Sequence, residues 1–69
     1  MRWITVESTN IKKIGYNKSK QELFVEFNSG NQYKYMKVQQ DIYSSFKDAE
    51  SKGKFFQQTI KGCFDYERI

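Results

Sequence analysis

The sequence predicts an α+β fold: a small antiparallel β-meander of about four strands, covered by one or two C-terminal helices and followed by a short final strand. Two observations predict it. Apolar and polar residues alternate through residues 21–37, which is typical of a β-hairpin. Beyond Val38 the apolar residues recur with a period near 3.6, which is typical of an amphipathic helix. Because a lone hairpin is marginal in water, we expect the helices to cover one face of the sheet.

The first two strands are predicted over residues 2–7 and 11–16. Polar turns at residues 8–10 and 17–20 separate them from each other and from the hairpin. Gly15 interrupts the second strand, and it is expected to mark a bulge or a close approach of the backbone. Short turns of this kind between successive strands imply a meander.

The central hairpin determines which side chains are buried. A three-residue loop at residues 28–30, with its glycine in the left-handed conformation, places Leu23 opposite Tyr35 and Val25 opposite Tyr33. A slip of one residue would turn a whole strand over, so only one register gives an apolar face. With the chosen register that face consists of Leu23, Val25, Phe27, Tyr33 and Tyr35.

The first helix is predicted from the stripe formed by Ile42, Phe46 and Ala49. It is expected to end near residues 51–53, with Gly53 as its left-handed C′ residue.

A second short helix is predicted over residues 54–61 and closed by Gly62. Residues 63–69 alternate again and predict the last strand. The predicted core then contains Ile4 or Val6, Ile14, Leu23, Val25, Phe27, Tyr33, Tyr35, Ile42, Phe46, Phe56 and Ile60.

Composition restricts the class of protein. With 69 residues, we expect one small domain. The net charge of +4 fits either ordinary solubility charge or attraction to a polyanion such as RNA. The single cysteine, Cys63, excludes an internal disulfide and fits a reducing compartment. The sequence has neither a long apolar run nor the apolar segment of a signal peptide, so we expect a cytoplasmic protein without a membrane partner.

Several short motifs follow one another along nearly the whole chain: Val6-x-Ser8-Thr9-x-Ile11, Ile14-Gly15-Tyr16, Phe27-x-Ser29-Gly30-x-x-Tyr33-x-Tyr35, Ser51-x-Gly53-x-Phe55-Phe56 with Ile60, and Tyr66-x-Arg68-Ile69. In order and spacing they resemble the KTSC domain family. That family is named for a domain at the C-terminus of some lysyl-tRNA synthetases, and it also occurs as short stand-alone bacterial and phage proteins. The resemblance implies a single domain over residues 1–69 and, by association with the synthetase, RNA binding. The sequence departs from the family pattern at Gln39, where proline usually follows the valine, so we expect a looser helix start.

Few residues are suited to catalysis. The sequence has no histidine, and therefore no ordinary base that titrates near neutral pH. Without a histidine to activate it, Cys63 is interpreted as a small structural thiol. Asp65 and Glu67 are interpreted as solvated surface carboxylates, and no group of ligands is close enough in sequence to hold a metal. We therefore expect a non-enzymatic binding module that uses no cofactor and no metal.

Exposed lysines are the candidate nucleic-acid contacts, and no block of consecutive charges forms a basic tail. Tyr33 and Tyr35 could stack on bases, but the hairpin register directs both rings to the core, which favours a structural role. The candidate lysines are Lys12, Lys13, Lys18, Lys20, Lys52, Lys54 and Lys61.

The alternative is a protein-interaction module, for example a phage or mobile-element factor acting on a host protein. Its contact surface would be the outward face of the hairpin, at Phe24, Lys34 and Met36. A third option is a homodimer that pairs edge strands, so the expected oligomeric state ranges from monomer to weak homodimer.

Overall fold

The computed structural model describes residues 2–69 and contains one five-stranded antiparallel sheet whose strands follow chain order, which confirms the predicted α+β meander. No helix within these residues is long and apolar enough to cross a membrane. The elements are β1 (Arg2–Thr5), β2 (Ile11–Asn17), β3 (Glu22–Phe27), β4 (Gln32–Tyr35), α1 (Gln40–Asp48), α2 (Lys52–Phe55), a π-helical segment (Phe56–Ile60) and β5 (Tyr66–Arg68).

The hairpin of β3 and β4 has the predicted register, with Leu23 opposite Tyr35. The Gly30 N–H donates to the Phe27 carbonyl at 2.9 Å, and the φ angle of Gly30 is +97°. The left-handed glycine closes a short loop, as predicted. Alternation then directs Tyr35 toward the helices. We call that side of the sheet the inner face and the opposite side the outer face.

The strand boundaries differ from the prediction at both edges of the sheet. The first strand ends at Thr5 rather than at residue 7, and the last covers only Tyr66–Arg68 instead of residues 63–69. The reason at the last strand is that the Cys63 N–H donates to the Ile60 carbonyl at 3.1 Å. This bond turns the backbone over the end of the helical segment, so the strand cannot begin there.

The prediction of a bulge at Gly15 was wrong. Gly15 is regularly paired with both Trp3 and Phe24, and the register shift lies between Ile11 and Lys13 instead. The rings of Trp3 and Phe24 meet edge to face over the glycine, with centroids 6.1 Å apart. The missing side chain therefore gives two aromatic rings room to meet across the sheet.

The predicted end of the first helix was also wrong. Helix α1 ends at Asp48, and Ala49 is already extended. Gly53 lies within α2 rather than at a C′ position, because Ser51 caps this second helix: its hydroxyl accepts from the Lys54 N–H at 3.3 Å. The serine therefore starts a new helix where the glycine was expected to end the old one.

The second helix begins at Lys52, two positions earlier than predicted, and widens into the π-helical segment. The Lys61 N–H donates to the Phe56 carbonyl at 2.8 Å, which is the wide i to i+5 bond of a π-helix. Both Phe56 and Ile60 are buried there. Gly62, with a φ angle of +80°, closes the segment as predicted.

The core between the inner face and the helices contains most of the predicted residues, but Ile11 and Val38 are also fully buried and were not predicted. Both backbone polar groups of Val38 are hydrogen-bonded: its N–H donates to the Gln21 carbonyl at 2.9 Å, and its carbonyl accepts from the Tyr16 hydroxyl. This anchors the chain before α1. The fully buried or nearly buried apolar residues are Ile11, Ile14, Leu23, Val25, Tyr35, Val38, Phe46, Phe56 and Ile60.

Candidate functional site

At one end of the inner face a groove of about 500 Å³ lies between the β1–β2 loop, the β3–β4 loop and the π-helical segment. We call it the aromatic groove. Its floor and walls are aromatic, whereas its rim is made of amide, hydroxyl and amino groups. The aromatic residues are Phe27, Tyr33, Tyr35, Phe56 and Tyr66, and the remaining lining residues are Thr9, Asn10, Asn28, Ser29, Asn31, Gln57, Lys61 and Gly62.

The five aromatic rings of the groove contact one another in a closed circuit. Neighbouring centroids are 5.3 to 5.9 Å apart, and four of the five pairs meet edge to face at 69° to 78°. This is the favoured geometry for aromatic pairs, and it holds each ring in place. In order around the circuit the rings are Phe27, Phe56, Tyr35, Tyr66 and Tyr33.

The strand pairing explains why these rings meet. Tyr33 and Tyr35 share a face because alternate residues of β4 point the same way, and Tyr66 lies directly opposite Tyr35 on β5. Phe27 ends β3 beside the loop, and Phe56 begins the π-helical segment above it. The groove is therefore built where a hairpin end, an edge strand and a helix end converge.

Two loops at the rim are hydrogen-bonded to each other. The Asn28 side chain donates to the Thr9 carbonyl at 2.9 Å, and the Asn28 N–H donates to the Asn10 carbonyl at 2.8 Å. On the far side, the Arg68 guanidinium donates to the Asn31 side-chain oxygen at 2.8 Å. These bonds hold the rim in a defined shape before any ligand arrives.

The electrostatics of the groove are set by tyrosine hydroxyls and one lysine. Tyr35 is only 5% exposed, and burial together with the neighbouring Tyr33 and Tyr66 raises its pKa to about 12. Within residues 2–69 no hydrogen bond involves the hydroxyl of these three tyrosines. The lining has no carboxylate, and Lys61 is exposed at the rim. The groove therefore presents polar hydroxyls and a positive charge within aromatic walls.

Two of the candidate lysines, Lys12 and Lys13, lie away from the groove and beside a carboxylate. Their amino groups are 3.8 and 3.5 Å from the Glu26 carboxylate, and the Lys13 amino group also lies 4.9 Å from the centre of the Trp3 ring. Glu26 accepts a hydrogen bond from the Gln32 amide at 2.7 Å. That bond, and then the charges of Lys13 and Lys12, hold the pKa of this carboxyl below its usual range. These two lysines share one carboxylate.

Lys18 and Lys20 are exposed on the β2–β3 turn, which the Asn17 side chain organises by accepting from the Ser19 hydroxyl at 2.9 Å. Lys52 is only half-exposed, because its amino group donates to the Ala49 carbonyl. These three do not line the aromatic groove.

Lys54 and Lys61 are brought together around Gln57. A second, polar depression adjoins the aromatic groove and shares Thr9, Asn10 and Gln57 with it. Lys54 lines the polar depression, and Lys61 lines the groove. Lys52 also lines the polar depression, so three of the seven predicted lysines flank one continuous surface, although Glu7 and Glu50 lie at the polar depression too.

The outer face carries the predicted protein-contact residues. Phe24 and Lys34 are paired across β3 and β4, but Met36 lies beyond the end of β4 and lines a separate depression with Cys63. The Lys34 amino group is 3.6 Å from both Glu22 and Glu67.

Sequence reasoning missed several groove residues. Tyr33 and Tyr35 were singled out, and the direction of Tyr35 is confirmed, yet a structural role in the core was favoured over base stacking for both. The alternation around Tyr66 was the signal for a third tyrosine on the same face. No local pattern connects Phe56 or Gln57 with that face. Within residues 2–69 no group of three potential metal ligands is present.

A five-stranded meander with helices on one face and an aromatic groove at one end defines a small α+β domain. The sequence model of the KTSC domain family matches residues 7–64. The chain therefore belongs to the KTSC domain family. Four of the five groove rings lie within the matched residues, and Tyr66 follows them.

The chain is similar to the crystal structure of a KTSC domain protein from Yersinia pestis, with a TM-score of 0.96 and 34% identity over 99% of this chain and 96% of that one. It is 40% identical over 63 residues to a lysine–tRNA ligase from Trichormus variabilis, and 38% identical to one from Nostoc punctiforme. The chain spans 11% of the length of these ligases. A protein from Stutzerimonas stutzeri is 33% identical over 88% of this chain and 86% of its own length.

Proposed function

We propose that this KTSC domain is a non-enzymatic module that binds single-stranded RNA at the aromatic groove and along the helix surface beside it. One observation carries the proposal: aromatic rings line a groove that has no carboxylate in its lining and has Lys61 at its rim. Aromatic side chains bind unpaired bases by stacking, and lysines bind the phosphates.

The relatives support RNA as the partner. The lysine–tRNA ligases from Trichormus variabilis and Nostoc punctiforme are named for a tRNA substrate, and this chain matches a part of each. An RNA ligand also agrees with the net charge of +4.

Lys54 and Lys61 are the lysines best placed to contact phosphates, because they flank the surface formed by the groove and the polar depression. Lys52 also lines the polar depression, but its amino group donates to the Ala49 carbonyl. Lys12 and Lys13 are matched by Glu26. Lys18 and Lys20 are equally basic and exposed but do not line the groove, so they offer a matched control.

Fluorescence anisotropy with a labelled short single-stranded RNA tests the proposal. With about two phosphate contacts, affinity is expected to fall roughly sevenfold between about 50 and about 200 mM salt. The Lys54→Ala/Lys61→Ala variant should weaken binding and flatten the salt dependence, by about 0.7 slope unit per lysine. The Lys18→Ala/Lys20→Ala variant should bind nearly as the unchanged protein does. No binding at the lower salt, or an equal loss in both variants, would contradict the proposal.

A second candidate function is protein binding through the outer face, at Phe24, Lys34 and Met36. It is favoured by one observation: the helices pack on the inner face, so Phe24 and its neighbour Trp3 stay half-exposed. If this candidate is right, a partner captured from the native host is lost in a Phe24→Ser/Lys34→Glu variant but kept in the Lys54→Ala/Lys61→Ala variant.

A further inference from the structure

We infer that the aromatic groove holds one unstacked nucleobase together with its phosphate, so that the unit of recognition is a single nucleotide. This inference rests on the proposed function, since it names the part of an RNA that the groove accepts. The groove is a built site, its charge selects an anionic ligand, its rim matches the edge of a base, and its size admits a base.

The groove is a built site because a buried polar group opens into it. Tyr35 is 95% removed from solvent, lines the groove, and has a hydroxyl that no hydrogen bond within residues 2–69 involves. Every fully buried polar side-chain atom of these residues has a partner, so this hydroxyl keeps some access to solvent, and Tyr35 lines the groove. The hydroxyl is therefore free to bond to a group that enters the groove, as donor or as acceptor.

The charge at the groove favours an anionic ligand over a cationic one. Clustered aromatic rings are well known to bind quaternary ammonium groups through cation–π attraction. Here, however, Lys61 is at the rim, Arg68 is bonded to the rim residue Asn31, and the lining has no carboxylate. Both positive groups repel a cationic ligand and attract a phosphate.

The rim offers the hydrogen-bonding groups that the edge of a base needs. Asn10 and Gln57 each present an amide with a donor and an acceptor, and no side-chain bond occupies either amide within residues 2–69. Asn28 and Asn31, by contrast, are already bonded to Thr9 and Arg68. Two amides are thus available to bond a base, and two others maintain the rim.

The size and shape of the groove admit a base only when it has left its stack. A volume of about 500 Å³ lies within the range of sites for small ligands. The walls are the ring edges and faces of the aromatic circuit, against which a planar base stacks. A base within a duplex is covered on both sides by its neighbours, so the ligand is an unpaired or terminal nucleotide.

NMR of the tyrosine ring signals tests the inference with adenosine 5′-monophosphate and uridine 5′-monophosphate. Comparison probes are ribose 5-phosphate, tetramethylammonium and a proline-rich peptide. The nucleotides are expected to shift the signals of Tyr33, Tyr35 and Tyr66.

The Tyr66→Ala variant is expected to bind the nucleotides roughly 5- to 100-fold more weakly, the usual effect of losing one stacking ring. Phe24→Ala, on the outer face, is the matched control and should leave nucleotide binding unchanged. Because Tyr66 is 60% exposed, its variant is expected to fold, and unchanged backbone amide signals verify this.

The outcomes separate this inference from the proposed function. If an RNA oligomer binds but nucleotides leave the tyrosine signals unchanged and Tyr66→Ala has no effect, the nucleotide pocket is wrong while RNA binding stands. If nucleotides shift the tyrosine signals but no oligomer binds at low salt, the RNA module is wrong while the pocket stands. Binding of ribose 5-phosphate as tightly as the nucleotides, or stronger shifts with tetramethylammonium or the proline-rich peptide, overturns the inference.

Discussion

The inner and outer faces of the sheet both carry aromatic rings, but the groups around those rings differ. On the outer face the Lys13 amino group lies over Trp3 at 4.9 Å, and Lys34 lies between Glu22 and Glu67. In the groove on the inner face, the rings contact one another and no carboxylate is present in the lining. The sheet thus presents charges matched within the chain on its outer face. On its inner face it presents tyrosine hydroxyls in a groove where Lys61, which follows the π-helical segment, has no acidic partner in the lining.

This difference shows that exposed aromatic area is a poor guide to a binding site by itself. Trp3 and Phe24 are half-exposed, yet the polar groups beside them already have partners. Tyr35 is almost completely buried, yet its hydroxyl has bonding capacity left for a ligand. The capacity of the polar groups, more than the exposure of the rings, distinguishes the two faces.

The largest expected effect comes from a substitution in the core beneath the inner face. Phe46 is fully buried and stacks on Phe55 with centroids 5.3 Å apart. Phe46→Ala should lower the free energy of unfolding by about 3–5 kcal/mol, measured by urea denaturation, because it leaves a cavity in the core. Phe24→Ala on the outer face is the control and should cost roughly 1–2 kcal/mol. Equal losses would mean that the outer face is covered as well as the inner.

Within the groove, the comparison of Tyr33 with Tyr66 tests which rings support the fold. Tyr33 is half-buried and contacts both Phe27 and Tyr66, so Tyr33→Ala should lower the free energy of unfolding by about 2–4 kcal/mol. Tyr66 is 60% exposed on an edge strand, and Tyr66→Ala should cost at most about 1 kcal/mol. Thermal unfolding monitored by circular dichroism measures both. A loss below about 0.5 kcal/mol for Tyr33→Ala would identify its ring as a surface group.

The buried tyrosine should make stability depend on alkaline pH. The pKa of Tyr35 is raised from 10.0 to about 12 in the folded state, so its contribution is fully present below pH 10. As pH rises from 10 to about 12, the unfolded chain ionises at this residue first, and stability is lost. The loss should amount to roughly 2–3 kcal/mol, measured by urea denaturation across this range. Tyr35→Phe should show a shallower decline, and identical declines in the two proteins would contradict the assignment.

The smallest effect concerns the charges of the outer face. The Gln32 amide, and then Lys13 and Lys12, hold the pKa of Glu26 below its usual range. This carboxylate therefore stabilises the fold at pH values above the ordinary pKa of a glutamate. That contribution is lost as pH falls through the lowered folded value. Carbon-detected NMR titration of the carboxyl group should give a midpoint that rises in Gln32→Leu, which lacks the bonding amide. An unchanged midpoint would show that the amide bond is absent in solution.

The local alternation of the sequence determined the meander, the register of β3 and β4 and the inward direction of Tyr35. The helical period beyond Val38 indicated the core residue Phe46. These features are predictable because they depend on the period of side chains along one short segment. The helix boundaries were less predictable, since Ser51 and Gly53 are each compatible with ending one helix or starting the next.

Only the tertiary structure decided where the inner face stays open. The groove needs Phe27 from a hairpin, Phe56 from a helical segment and Tyr66 from an edge strand, and no period in the sequence relates the three. Likewise, Lys12 and Lys61 have the same side chain, but one lies beside Glu26 and the other at a rim without acids. The physical reason is that alternation fixes which face a side chain takes, whereas coverage of that face and the matching of charges depend on contacts between segments distant in sequence.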